Sequence, residues 1–152
     1  MDKEILKLYL TFWSGLLSGW VINNFTGFDK PVLVHELPIP DYALLTHIIE
    51  ENFIFALILF LIGNGTAQKI VAFAISAFYG QIVFKFGLIV GLVGTIPHGL
   101  IELLGFSFIA YAGQKFKAKT SFVKPLLIGY IMLAVAALIE STLSIYIFQH
   151  VV

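Results

Sequence analysis

The chain has no cysteine and no arginine, and charged residues make up only 12% of its 152 positions. The missing cysteine excludes disulfides, thiolate catalysis and thiolate metal sites. Nine lysines balance nine acids at zero net charge, so there is no basic face of the kind nucleic-acid binding needs. A soluble domain usually carries about 25% charged residues; here too little polar surface remains to cover a sphere in water. What is abundant is apolar: 59% hydrophobic residues and a mean hydropathy of +0.96. These values describe an integral membrane protein whose first partner is the lipid bilayer. The length fits a single transmembrane domain over residues 1–152. The first apolar run begins after Lys7 and lacks a small-x-small cleavage site, so it reads as a retained helix.

A spanning helix needs ~20 mostly apolar residues, and five stretches qualify. The first covers about residues 8–25 and carries Gly15 and Gly19, a small-xxx-small stripe that permits close helix approach. That stripe is the best candidate for an oligomer contact. Residues 26–47 are the longest polar stretch, and Pro31, Pro38 and Pro40 forbid a continuous helix there. The second span covers about residues 48–62 and stops at the turn signal Gly63-Asn64-Gly65. The third runs over about residues 69–93 and is loosened late by Gly87, Gly91 and Gly94. The fourth begins at Pro97, a favoured first-turn position, and ends near Gly113. The fifth covers about residues 123–148. The expected fold is all-α, a polytopic transmembrane helix bundle of about five spans.

Short cytoplasmic loops collect positive charge. Lys115, Lys117, Lys119 and Lys124 therefore place the Lys-rich loop 114–124 inside. Five spans then make the N-terminus cytoplasmic, with Lys3 and Lys7, and leave the Pro-rich segment 26–47 extracytoplasmic.

Charge inside hydrocarbon is costly, so ionisable residues within spans are candidate site residues. His98 and Glu102 stand four apart on one helical face, and Glu140 lies in the fifth span. At ~1.5 Å rise per residue, His98 falls near the outer interface, Glu102 roughly 7 Å deeper, and Glu140 roughly 10–15 Å from its helix's outer end. Glu51 and Asn52 fall near the outer boundary of the second span, and Lys85 in the outer half of the third. Six polar residues from four helices thus share one depth. Three readings stand for them: hydrogen bonds that fix helix packing, a site for a proton or cation, or a metal site with His98, Glu102 and Glu140 as ligands. Protease chemistry is disfavoured, since a zincin helix offers two histidines. Lys85 is expected to snorkel on its apolar stem. Gly99 is expected to serve helix packing more than to open space beside His98. No cofactor is called for beyond such a cation.

The string Pro97-His98-Gly99-x-x-Glu102, with Glu51-Asn52 on an earlier helix and Ala136-Ala137-Leu138-Ile139-Glu140 near the C-terminus, resembles the stage II sporulation protein M family. The likeness runs from about residue 48 to 144. Where the family often has an Asn pair, this chain has Glu51-Asn52. The resemblance implies a multi-pass protein of a bacterial or archaeal cell membrane with no established enzyme activity. It implies a scaffold or subunit of a membrane complex, with cell-wall hydrolases or ABC transporter subunits as partners, while a homo-oligomer is expected from the small-residue stripe. A small transporter, channel or export component and a metal-dependent intramembrane hydrolase are the alternatives.

Overall fold

The computed structural model describes residues 2–26, 42–84, 87–144 and 146. These residues form five α-helices in sequence: α1 Lys3–Thr26, α2 Tyr42–Ile62, α3 Gly65–Val83, α4 Leu88–Lys117 and α5 Val123–Ile139. A π-helical turn, Glu140–Ser144, continues α5. Four helices are long and apolar enough to cross a membrane: α1, α2, α4, and α5 extended through Leu143. The 19-residue α3 falls outside that set, its apolar run interrupted by Thr66, Gln68, Lys69, Ser76 and Gln81.

Two helices start at a side-chain cap. Asp2 Oδ1 accepts from the Glu4 amide at 3.0 Å and caps α1. Asn64 Oδ1 accepts from the Thr66 and Ala67 amides, both at 3.1 Å, and caps α3. Such caps satisfy N–H groups that the first turn leaves unbonded. Gly63, at φ +51°, makes the tight turn between α2 and α3.

The break between α3 and α4 differs from the one read in the sequence. α3 ends at Val83, and Gly87, at φ +100° and ψ 162°, precedes α4. Only glycine takes that conformation readily, so the chain turns there and not at Gly94. Pro97 consequently lies inside α4. It withholds one N–H from the Val93 carbonyl, while its fixed φ remains helical. α2 also begins earlier than expected, at Tyr42, so residues 42–47 of the Pro-rich segment are helical. The rest of that segment, residues 27–41, lies outside the described residues, as does Lys85.

Contacts fix the helix directions. The Glu4 and Lys69 side chains pair at 3.2 Å. Gly15 faces Phe73 and Ser76, and Gly19 faces Ala77 and Gly80. α1 and α3 therefore run parallel, backbone against backbone. The Gly15/Gly19 stripe is thus consumed inside the chain, which corrects its expected role as an oligomer contact. Gly113 abuts Phe60, so α2 and α4 run alongside with their C-terminal ends together; Gly105 abuts Gly129, and α5 returns along α4.

The interior holds large apolar side chains, Leu8, Phe12, Leu59, Phe84 and Ile109 among them, together with small and polar ones. Small and polar residues face inward, among them Ala56, Ala72, Gln68, Ser76, Ala110, Ala112 and Ser107. Large apolar side chains such as Ile54, Leu61, Ile70, Phe78, Ile89 and Ile131 face outward. Association in lipid relies on such close packing of small residues, because apolar contact gains little there.

One end of the bundle collects charge. Lys3, Lys7, Lys69, Lys115, Lys117, Lys119 and Lys124, seven of the nine lysines, belong to it. It is held by a dense polar network. Gln68, fully buried, donates from Nε2 to the carbonyls of Leu59 at 2.7 Å and Ala110 at 2.8 Å, and its Oε1 accepts from Gln114 at 2.7 Å. Lys117 donates to the Ile62 carbonyl and satisfies the end of α2. Tyr111 donates to Asp2 and ties α4 to α1.

Candidate functional site

The opposite half of the bundle holds a cavity of about 390 Å³ lined by α1, α2, α3, α4 and the π-helical turn. Phe12, Phe55 and Phe106 form its floor, packed edge-on or tilted with ring centroids 4.8–6.2 Å apart. Above them the wall becomes polar, with Asn52, Tyr79, Thr95, His98, Glu102 and Glu140.

His98 and Glu102 lie one turn apart on α4, and Glu140 opens the π-helical turn. The three residues each offer a ligand atom, and these atoms lie within 4.8 Å of one another. The convergence expected of His98, Glu102 and Glu140 is therefore present. Its depth follows a different route from the one the sequence offered. With α4 starting at Leu88, Glu102 stands mid-helix and not two turns from its start. Measured from the lysine end, Glu102 lies about 20 Å beyond Lys115, and Glu140 about 24 Å beyond Lys124. In a hydrocarbon core ~30 Å thick, both fall in the half remote from the lysines.

Asn52 and Glu51 line the same cavity. The Asn52 amide nitrogen is buried and approaches the Glu102 carboxyl as a loose donor, short of full hydrogen-bond geometry. Glu51 is not a helix cap: α2 begins nine residues earlier. Its carboxylate stands 3.4 Å from His47 Nε2, at the exposed rim.

Gly99 corrects another expectation. A Cβ there would meet only the Thr95 methyl, at 2.9 Å, among the described residues. No neighbouring helix presses on it, so it opens space beside His98. Ser141 does not serve Glu140; it donates to the Leu138 carbonyl at 3.2 Å. Sequence reasoning missed Thr95 and Tyr79. Thr95 stands three residues before His98 and so near its helical face, a signal that i, i+3 spacing could have exposed.

Two negative carboxylates at this separation repel by roughly 3.5 kcal/mol at an effective dielectric of about 20. The pocket therefore favours a proton or a cation between them. No family model, curated protein or solved structure matches the chain.

Proposed function

We propose that this chain is a five-pass subunit of the cell membrane, without enzymatic activity, whose cavity takes up a proton or small cation in a transport or export assembly. The observation that carries this reading is the meeting of His98, Glu102 and Glu140 around one cavity. The gathering of seven lysines at the other end supports a cytoplasmic N-terminus and a site in the outer half of the bilayer. The parallel course of α1 and α3 fits a crossing by α3, as five passes require. The resemblance to the stage II sporulation protein M family supports a bacterial or archaeal membrane, with ABC transporter subunits or cell-wall hydrolases as partners.

A scaffold is the second reading, because Asn52, Glu102 and Glu140 come from three helices and could serve as a packing clamp. A clamp tolerates Glu102→Gln and Glu140→Gln together, whereas a cation site does not.

The chain's freedom from cysteine makes the test direct. Thr120→Cys should react with an impermeant maleimide only from the cytoplasmic side, and Thr46→Cys only from outside. Thr95→Cys, in the cavity wall, should react from outside with a small thiol reagent. A lipophilic carbodiimide should form an adduct at Glu102 or Glu140, slowed by raised pH or by cations. Labelling of positions 120 and 46 from the same side overturns the topology. Failure to modify either glutamate in folded protein overturns the pocket reading.

A further inference from the structure

We infer that His98, Glu102 and Glu140 together hold one divalent transition-metal ion of zinc-like character. This rests on the reading of the cavity as a cation site and names the cation. The donor set selects it. Alkali and alkaline-earth ions take oxygen ligands, whereas an imidazole nitrogen suits zinc, copper, iron and nickel. A divalent ion also matches the charge of two carboxylates, so the loaded site is neutral in a medium that penalises net charge.

The geometry is within reach of such an ion. Metal–ligand bonds of about 2.0–2.2 Å in a tetrahedron put ligand atoms roughly 3.3–3.6 Å apart. The three donor atoms here lie within 4.8 Å. Side-chain rotation closes the remaining gap, since each glutamate has three free torsions and the backbones need not move. His98 and Glu102 share a helical face. The π-helical turn shifts the register of α5 at Glu140, a device common at functional sites.

Two further features fit an ion. The buried Asn52 amide nitrogen reaches the Glu102 carboxyl only loosely, short of full hydrogen-bond geometry. A water or carboxylate oxygen held on the metal would give it an acceptor, as outer partners of metal ligands do. The cavity, at about 390 Å³, leaves a fourth coordination position open to water or to an incoming ligand. Gly99 keeps the space beside His98 clear.

The test uses the full chain, purified in detergent without chelator and with a tag free of histidine. Zinc or cobalt(II) is added and then removed by gel filtration, and bound metal is counted by elemental analysis. Cobalt also reports its geometry through visible d–d absorption. The expected result is about one metal per chain, with the intense bands of a low-coordinate site and a raised melting temperature. His98→Ala, Glu102→Gln and Glu140→Gln should each weaken binding beyond the ~10–100-fold that loss of an outer partner costs. The near-isosteric glutamine variants guard against loss of fold, judged by helical circular dichroism. Replacing His35, His47 and His150 together with alanine should leave binding unchanged. Absence of retained metal, or equal binding by His98→Ala, overturns the inference. If carbodiimide still modifies Glu102 or Glu140 in that case, the cation pocket stands and only its metal is refuted. If both fail, the pocket reading falls too.

Discussion

The seam between α1 and α3 gives the sharpest stability prediction. In Gly80→Ala the new Cβ would stand 2.2 Å from the Leu16 carbonyl oxygen, 2.9 Å from its carbon and 3.0 Å from its Cα. All three are backbone atoms, so no side chain can swing aside. Ordinary contact begins near 3.4 Å, and the helices must separate locally by more than ~1 Å. A radial gap of 0.5–1 Å already forfeits a quarter to a half of each dispersion contact. Gly15 and Gly19 lie on the same seam, and a Cβ at Gly19 would stand 2.2 Å from the Ala77 carbonyl. Overpacking of a tight interface costs about 1–3 kcal/mol, and backbone-on-backbone contact belongs at the upper end. At about 2–4 °C per kcal/mol for a chain of this size, Gly80→Ala should therefore lower the melting temperature in detergent by roughly 6–12 °C, and Gly19→Ala by a similar amount. The two together should cost less than the sum of the singles, because they open the same gap. Light scattering should show no change in particle mass. The opposite pattern, an unaltered melting temperature with a changed mass, would mean that the glycines face a second copy, and the intramolecular seam would be refuted.

Gln68→Leu removes three interhelical hydrogen bonds at about 0.6 kcal/mol each; a loss near 2 kcal/mol is expected in denaturant titration, and a neutral outcome would show that Gln68 is not the staple of α2, α3 and α4. The hydrogen bond from Tyr111 holds the Asp2 carboxyl below its ordinary range, followed by that from the Glu4 amide. A depressed acid contributes stability above its unfolded value, about 3.9, and loses it as pH falls through the lower folded value. Tyr111→Phe should therefore weaken the dependence of the melting temperature on pH between about 5 and 3, and an identical pH profile would rule out the tether.

Helix number and the His98–Glu102–Glu140 meeting were legible because each rests on a strong local signal. Apolar runs of membrane length and acids inside them are hard to read otherwise. The α3–α4 boundary was not legible. Pro97 signals a helix start as readily as an interior position, and only the backbone angles at Gly87 separate the two. The fate of the Gly15/Gly19 stripe was hidden for a different reason. Small-xxx-small spacing states that a close neighbour exists, not whether it belongs to the same chain. Gln68 escaped notice because it sits next to Lys69 near a helix end, where a polar residue reads as interfacial. Its burial depends on α2 and α4 closing over it, a tertiary fact that no sequence window contains.

The contrast between the two ends of the bundle bears on what the cavity is for. In the hydrocarbon region an unsatisfied polar group costs several kcal/mol, so a polar clamp is expected to be complete. Gln68 shows what completeness looks like: both amide atoms are used, three partners are engaged, and two of its bonds reach backbone carbonyls on two other helices. The cavity does not share that economy. Its two carboxylates face each other within 4.8 Å, Asn52 Nδ2 reaches Glu102 only loosely, short of full hydrogen-bond geometry, and Gly99 holds space open where a side chain could pack. If the cluster existed only to join helices, exchange of Glu102 for Gln would relieve the repulsion and leave an amide able to bond, as Gln68 does, and stability should rise. In a cation site the same exchange also removes metal binding, so loss of bound metal, and not the gain in stability, separates a site from a clamp, the pattern expected where function and folding compete for the same residues.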